Sequence, residues 1–191
     1  MKYLLLTGLL LITSFTEAKQ ATSDLGYSIE IPDSWLPLTR SEIKENSDLF
    51  DFNKIGGVSP LLLERVMPII RSGKMDIYFI PDNTDNITEN ISVIKQIGKI
   101  PNAEICAAGK EELTNIFQRE ITLHECKQTE VAGRKSFYIQ FSGILEENIT
   151  MQYHITLSDK VFLIFNATAK IDNKKKIESA LYQVINTLNI R

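Results

Sequence analysis

The last third of the chain limits its fold most strongly, because it contains four strand patterns joined by short links. Residues 121–131, 136–145 and 150–158 alternate between apolar and polar side chains, and residues 160–169 are almost continuously apolar. Alternation with a period of two is typical of a strand with one buried face, and a continuous apolar run is typical of a central strand. Short links favour pairing of consecutive antiparallel strands, so this region predicts a meander. The predicted inward positions are Phe137, Ile139 and Phe141 in the second strand and Met151, Tyr153, Ile155 and Leu157 in the third.

A closing helix is predicted after the meander, with Asp172 as its N-cap. Its apolar residues recur at helical spacing and form one stripe that can lie on a sheet. These residues are Ile177, Leu181, Val184, Ile185 and Leu188.

The first two thirds of the chain predict three strands and two helices. Strands are expected over 26–31, 74–81 and 90–97, and a helix from 102 to 118. Residues 19–25 are polar, and we expect them to be frayed. The inward positions are Tyr27, Ile29 and Ile31 in the first strand, Met75, Ile77 and Phe79 in the second, and Ile91, Val93 and Ile97 in the third.

Proline and tryptophan mark further positions in this part of the chain. Ser59-Pro60 is a good helix start, and Pro68 is expected to end or kink that helix. Trp35, the only tryptophan, is interpreted as a core anchor. The complete order of elements predicts an α+β fold, with an antiparallel β-sheet covered by helices in an α/β/α-type sandwich. No repeat or linker divides residues 19–191, which are expected to form a single domain.

Residues 1–18 (MKYLLLTGLLLITSFTEA) are typical of a secretory signal peptide. Lys2 supplies the positive charge, and Ala18 is the small residue expected before cleavage. The apolar run of about 13 residues is too short to span a bilayer core of roughly 30 Å as a helix. We therefore expect cleavage after Ala18 and a periplasmic or secreted bacterial protein, with no membrane span after cleavage.

The charge of the chain argues against a nucleic-acid partner. There are 21 basic and 24 acidic residues, giving a formal net charge of −3, whereas nucleic-acid binding normally needs a clearly basic face. Adhesion to anionic lipid is disfavoured for the same reason. The one basic run, Lys174-Lys175-Lys176, is interpreted as a solvated helix end.

Cys106 and Cys126 are the only cysteines. In an oxidising compartment, an even number of cysteines predicts a disulfide. The closed loop of about 20 residues would stabilise the fold by about 3 kcal/mol if the crosslink acts by restricting the unfolded chain. Two reduced buried thiols, or a reactive or metal-binding pair, are the alternatives.

The only histidines, His124 and His154, suggest a metal site that we disfavour. His124 and Cys126 stand at i and i+2 of one predicted strand and should share a face, and His154 could supply a third ligand for Zn²⁺ or copper. The disulfide would consume Cys126, however. His154 also shares its predicted face with Thr150 and Gln152, which is typical of a solvated surface. No metal site and no cofactor are therefore predicted.

No catalytic site is predicted either. The sequence has no G-x-S-x-G elbow or other recognisable nucleophile setting. Glu111-Glu112 and Glu146-Glu147 are pairs of adjacent residues, which do not converge on one substrate as a glycosidase pair does. A hydrolase that depends on His124 or His154 is the less favoured alternative.

Four local features occur together along the chain. They are the strand-Pro-x-x-Trp opening at 27–35 (YSIEIPDSW), the strand entry at 89–93 (ENISV), the glycine turn at 131–135 (VAGRK) before Phe137-Tyr138, and the terminal hairpin with its amphipathic helix. In this combination the chain resembles the PsbP/Mog1-like fold group, which includes the DcrB-like bacterial envelope proteins. The resemblance covers most of 26–190 and is weakest over 40–73. It implies an antiparallel sheet covered by helices and a binding role, and it transfers no catalytic motif.

The export signal, the resemblance and the lack of catalytic groupings indicate a function class. We expect an exported, non-enzymatic accessory or binding protein of the bacterial envelope that presents a loop or a sheet edge to a protein partner. The alternative is a small-molecule or metal-binding periplasmic protein that uses a cavity between sheet and helices.

Overall fold

The computed structural model describes residues 18–45, 67–79, 90–142 and 147–191. Its strands are β1 (Ala18–Ser23), β2 (Tyr27–Pro32), β3 (Leu36–Leu38), β4 (Met75–Phe79), β5 (Asn90–Ile97), β6 (Thr122–Val131), β7 (Arg134–Ser142), β8 (Asn148–Ser158), β9 (Val161–Lys170) and β10 (Asn189–Ile190). Its helices are α1 (Arg40–Glu45), α2 (Ala103–Phe117) and α3 (Lys174–Asn186), and residues 67–71 are also helical.

The described strands form two antiparallel sheets. The larger has seven strands in the order β3-β4-β5-β9-β8-β7-β6, and the smaller has three in the order β1-β2-β10. Strands β6 to β9 pair consecutively, as predicted, and β9 is the central strand of the larger sheet. The predicted α+β class is confirmed, whereas the second sheet was not predicted.

The smaller sheet begins in a segment that was expected to be frayed. The prediction for 19–25 is wrong, because β1 pairs with β2 along its whole length. Ala21 and Ser23 are buried, whereas Gln20 and Thr22 are exposed. The alternation of a strand is therefore present, but its buried positions hold small side chains that give almost no hydrophobic signal. The larger sheet, rather than the apolarity of β1 itself, provides the burial.

The first face of the larger sheet carries the main core and is covered by α3 and the smaller sheet. The apolar stripe of α3 is buried as predicted, and Trp35 is a core residue, 4% exposed. Burying one such large apolar side chain contributes roughly 1.5–3 kcal/mol. From β2 the core contains Tyr27, Ile29 and Ile31, and from the larger sheet it contains, among others, Met151, Tyr153, Ile155, Leu163 and Phe165.

The opposite face carries two smaller apolar clusters. One lies between α2 and the pair β6 and β7, and contains Ile121 with the predicted positions Phe137, Ile139 and Phe141. The other lies between β3, β4 and the helical residues 67–71, and contains Leu38, Met67, Ile70 and Phe79. Polar side chains of β5, β8 and β9 occupy the same face between the two clusters.

Two predictions at the ends of elements are wrong. Asp172 does not cap α3, because it lies in a 3₁₀ turn, and the N-cap position is held by Asn173 without a side-chain hydrogen bond. Ile97 does not point into the core and is 89% exposed. It stands at the end of β5, whose last three residues extend beyond the layers that bury its first half.

Residues 67–71, which include Pro68, are helical, whereas the predicted helix before Pro68, which this proline was expected to end or kink, lies outside the described residues. Proline lacks only its own N–H, and the Pro68 carbonyl still accepts a hydrogen bond from the amide of Ser72 at 3.1 Å. The predicted helix start at Ser59-Pro60 and residues 1–17 of the predicted signal peptide lie outside the described residues.

Candidate binding groove

Cys106 and Cys126 form a disulfide, with their Cα atoms 5.7 Å apart. The bond attaches α2 to β6 on the second face of the larger sheet. Cys126 is therefore not available as a thiolate ligand for a metal ion.

His124 does not share a face with Cys126, contrary to the prediction. The register of β6 against β7 shifts between Leu123 and Glu125, so His124 is the extra residue of a β-bulge. Leu123 and Cys126 both pack under α2 although they are three residues apart, which shows that the bulge interrupts the alternation of the strand. His124 Nε2 instead lies 2.8 Å from Ser142 Oγ.

The prediction that His154 lies on a solvated surface is wrong, because its ring lies between two aromatic rings. Its ring stacks on Phe162 with the centroids 5.7 Å apart and meets Phe137 edge-on at 5.8 Å. Burial lowers the pKa of His154 to about 4, so the imidazole is neutral at pH 7. No His, Cys, Asp and Glu side chains in the described ranges gather in a group of three that could hold a metal ion.

A row of hydrogen bonds connects His154 to two neighbouring strands. His154 Nε2 lies 3.1 Å from the acceptor Gln152 Oε1, so Nε2 carries the proton and Nδ1 is an acceptor, which is buried without a partner. Gln152 Nε2 donates to Asn166 Oδ1 at 3.1 Å, and Asn166 Nδ2 donates to Ser92 Oγ at 3.4 Å. We call these four residues the histidine row.

The predicted acidic pairs do not form a site either. Glu111 and Glu112 are exposed along α2, beside Ala108 and Asn115. Glu146 lies outside the described residues. Adjacent carboxylates on an open helix surface cannot enclose a substrate between them.

A second polar cluster, which the sequence reasoning missed, lies on the first face between the two sheets. Asp76 Oδ2 accepts hydrogen bonds from Ser23 Oγ and, at 2.8 Å, from Tyr27 Oη. Tyr78 Oη then donates to Tyr27 Oη at 2.9 Å. We call Ser23, Tyr27, Asp76 and Tyr78 the tyrosine cluster. It attaches the end of β1 and the start of β2 to β4.

Burial dominates the electrostatics of the tyrosine cluster. It raises the pKa of Asp76, and the hydrogen bonds from Ser23 and Tyr27 offset this effect only in part. Burial also raises the pKa of both tyrosines. The hydroxyl groups therefore remain protonated donors, which the Asp76 carboxylate requires.

A groove of about 620 Å³ separates the exposed edge of β1 from β3 and α1. β1 forms one wall, and Leu36 and Pro37 of β3 lie on the other side. Because the tyrosine cluster holds β1 against β4, and β4 pairs with β3, the cluster sets the distance between the two walls. The described lining is Lys19, Gln20, Ala21, Thr22, Asp24, Ile31, Leu36, Pro37, Thr39, Ser41, Glu42 and Glu45.

Main-chain groups along one edge of β1 face this groove, and no described strand pairs with that edge. The carbonyl of Thr22 accepts from Ser41 Oγ at 3.4 Å, so it points away from β2 towards α1. Peptide groups two residues apart in a strand point the same way, so Gln20 also directs its N–H and C=O towards the groove. By the same alternation, Ala18 points its main-chain groups away from β2. Its partner on β2 is Pro32, which has no N–H to donate to β1, so the two observations agree. Among the described strands, only β2 pairs with β1.

β3 is the corresponding edge of the larger sheet, but it is less suited to receive another strand. It has three residues, and its central one is Pro37. Proline cannot donate a main-chain hydrogen bond, and it commonly protects edge strands against pairing. β1 is therefore the better acceptor of the two edges along the groove.

Comparisons with known proteins identify the fold. No protein-family model matches the chain, and no curated protein matches it significantly in sequence. The solution structure of CyanoP, the cyanobacterial PsbP of Synechocystis, has a TM-score of 0.57 over 96% of this chain and 98% of that chain, at 13% identity. This chain has a PsbP/Mog1-like fold. Protein PA94 of Pseudomonas aeruginosa has a TM-score of 0.48 over 91% of this chain and 97% of its own, at 14% identity.

The groove of this PsbP/Mog1-like domain has only a weak sequence signal. Asp76 stands between Met75 and Ile77 in a strand pattern, where a solvated carboxylate is the ordinary expectation. Asp76 is instead 1% exposed. The position of Asp76 between two apolar residues, with Tyr78 two residues later, could have suggested burial. Its hydrogen-bond partners Ser23 and Tyr27, however, lie about 50 residues earlier in the chain, and nothing in the local sequence indicates the pairing.

In the part of the chain that the structure describes, no helix combines the length and the apolarity that a bilayer span requires.

Proposed function

We propose that this protein is an exported, non-enzymatic accessory protein of the bacterial envelope that binds a partner protein in the groove between β1 and β3. The observation that carries the proposal is the outer edge of β1, which pairs with no other described strand and forms one wall of a groove of about 620 Å³. The predicted signal peptide supports export, and the disulfide between Cys106 and Cys126 is compatible with an oxidising compartment.

The shape and lining of the groove favour a protein segment as its ligand. β1 is described over Ala18–Ser23, and the part that remains after cleavage behind Ala18, Lys19 to Ser23, corresponds to roughly 17 Å of strand. Its wall offers main-chain donors and acceptors, and the opposite wall offers the half-exposed apolar surface of Leu36 and Pro37. Main-chain hydrogen bonds combined with apolar side-chain contacts are how sheet edges bind peptides.

Site-specific crosslinking tests the position of the partner. Benzoylphenylalanine introduced at Gln20 or Leu36 should yield a crosslinked protein product after illumination of envelope preparations. The controls are Ile97 and Tyr182, which are 89% and 51% exposed and lie away from the groove. A product at the control positions alone, or at none of the positions, would contradict the proposal.

Fractionation tests the export part of the proposal separately. The protein recovered from the periplasm or the medium should begin at Lys19, as N-terminal sequencing would show. Recovery of the uncleaved chain in the cytoplasm would refute export without bearing on the groove.

A further inference from the structure

We infer that the second face of the larger sheet carries a separate binding site for a neutral saccharide, and that an acetamido group of this saccharide pairs with the side-chain amide of Asn148. The site is the strip of polar side chains between α2 and the helical residues 67–71. We call it the polar strip, and its members are Ser92 on β5, Asn148, Thr150 and Gln152 on β8, and Asn166 and Thr168 on β9. None of them belongs to the described lining of the β1 groove, so this site goes beyond the proposed function.

The strand register places the members of the polar strip side by side. Asn166 stands opposite both Ser92 and Gln152, and Thr168 stands opposite Thr150 in the next row. The first residue of β8 adds a third row. With the usual spacings along and between strands, three rows on three strands form a surface roughly 14 Å long and 10 Å wide. A disaccharide is of this size.

Apolar clusters border the polar strip on both sides. Ile139 and Phe141 of β7 stand opposite its β8 residues and pack under α2. On the other side, Ile77 of β4 stands opposite Ser92 and packs against the cluster at the helical residues 67–71. The two helical segments therefore stand on either side of the strip, which forms the floor between them.

Asn148 provides the observation that points to a ligand. Its side chain is only 3% exposed, and neither Oδ1 nor Nδ2 has a hydrogen-bond partner within the described structure. Because Ile149 belongs to the main core on the first face, the alternation of β8 directs Asn148 to the second face. Buried polar groups are nearly always paired, and leaving them unpaired is costly. A second amide, which offers one donor and one acceptor, satisfies both atoms at once.

The chemistry of the other members favours a neutral ligand rich in hydroxyl groups. The amides of Gln152 and Asn166 each donate one hydrogen bond within the strip, and each keeps a second N–H for a ligand. Both side chains are half-buried, so a ligand can reach them. The one charged neighbour, Lys170 opposite Asn148, already has a partner. A charged ligand would lose its hydration without gaining a counterion, and an apolar ligand would leave the amides unpaired.

The probe is diacetylchitobiose, a neutral disaccharide with acetamido groups, added to the isotope-labelled protein during NMR. The side-chain amide signals of Asn148, Gln152 and Asn166 should shift together and saturate in the millimolar range. Cellobiose, the matched disaccharide without acetamido groups, should bind at least about tenfold more weakly. Equal affinities for the two disaccharides would overturn the amide pairing. Tighter binding of an N-acetylated disaccharide that carries a uronate would overturn the neutral ligand.

Two substitutions connect binding to the polar strip. Asn148→Ala should weaken diacetylchitobiose binding at least about tenfold and keep the unfolding temperature, because the amide has no partner to lose. Gln152→Ala, at a half-buried position, is the second variant, and it should also weaken binding. The matched control is Asn189→Ala, an exposed position of β10, which should bind as the parent does. Parent-like affinity of both strip variants would refute the site.

The result for the polar strip is independent of the groove. If no saccharide shifts the three amide signals, and Asn148 shows only exchange with a bound water, the inference is wrong and a buried water is what pairs this amide. The crosslinks at Gln20 and Leu36 would still form in that case, and the proposed function would stand. Saccharide binding without these crosslinks would support the polar strip and refute only the groove.

Discussion

The two faces of the seven-stranded sheet each bury a hydrogen-bonded polar cluster, but only one of these clusters joins separate layers. The bonds of the tyrosine cluster connect residues 49, 51 and 53 positions apart and hold the smaller sheet against β4. The bonds of the histidine row stay within the larger sheet, between residues of β5, β8 and β9. A buried polar cluster supports the architecture where it connects two layers, whereas within one sheet it mainly satisfies side chains that the strands already hold in place.

The largest effect is expected from truncation of the tyrosine cluster. Tyr27→Ala should lower the free energy of unfolding by about 4 kcal/mol, since Tyr27 is fully buried and its loss leaves a cavity beside Asp76. Tyr27→Phe should cost about 2 kcal/mol, because it removes only the hydroxyl that Asp76 and Tyr78 contact. Urea denaturation measures both.

The matched change in the histidine row is Gln152→Ala, which we expect to cost no more than about 1 kcal/mol because Gln152 is half-buried. Tyr182→Ala, on the exposed side of α3, controls for the removal of a tyrosine ring. If Gln152→Ala were as costly as Tyr27→Ala, the proposed difference between the two clusters would be refuted.

The next effect concerns how each face holds its helix. α3 is held by a buried apolar stripe, whereas α2 is attached through Cys106 and Cys126. Replacing both cysteines by serine should lower the free energy of unfolding by about 3 kcal/mol, because the unfolded chain is then no longer restricted by the crosslink. Hydrogen exchange should then show loss of protection in α2 before α3. Simultaneous loss in both helices would show that the faces are equally dependent on the crosslink.

A smaller loss of stability is expected at low pH, when His154 of the histidine row becomes protonated. The folded-state pKa of His154, about 4, is below the ordinary value of about 6.5, so the folded protein binds the proton less well. Stability is therefore fully present above pH 6.5 and falls as the pH drops towards 4, by about 2–3 kcal/mol. His154→Gln should flatten this fall in denaturation curves, and His124→Gln should leave it unchanged. Identical curves for the parent and His154→Gln would contradict the proposal that burial of the His154 ring makes stability depend on pH.

The smallest expected effect is a loss of stability as the pH rises, opposite in direction to that of His154, and it comes from Asp76 of the tyrosine cluster. The folded-state pKa of Asp76 is raised by burial, so its contribution to stability is greatest below the ordinary pKa of about 3.9 and is lost as the pH rises through the folded-state value. Asp76→Asn cannot ionise. It should gain stability relative to the parent between acid and neutral pH, and parallel pH profiles would contradict this assignment.

The fold could be predicted where the pattern is local. The meander of β6 to β9 and the stripe of α3 follow from periodic burial, which repeats every two residues or at i, i+4 and i+7. The disulfide could be anticipated from the number of cysteines and the predicted compartment. β1 escaped detection because its buried positions are Ala21 and Ser23, which are small or polar. The surroundings of His124 were missed because a bulge inserts one residue without a sequence mark.

The sequence by itself determined that β6 to β9 are strands and that α2 and α3 are helices, which faces of β7, β8 and α3 are apolar, and that the closing helix can lie on a sheet. These properties depend on the spacing of apolar residues within a segment, so they can be read without knowing the rest of the molecule. Only the tertiary structure decided that Asp76 meets Ser23 and Tyr27, that His154 lies between aromatic rings, and that β1 faces β3 across a groove. Those contacts join segments distant in sequence, and they arise from the way the two sheets pack on each other.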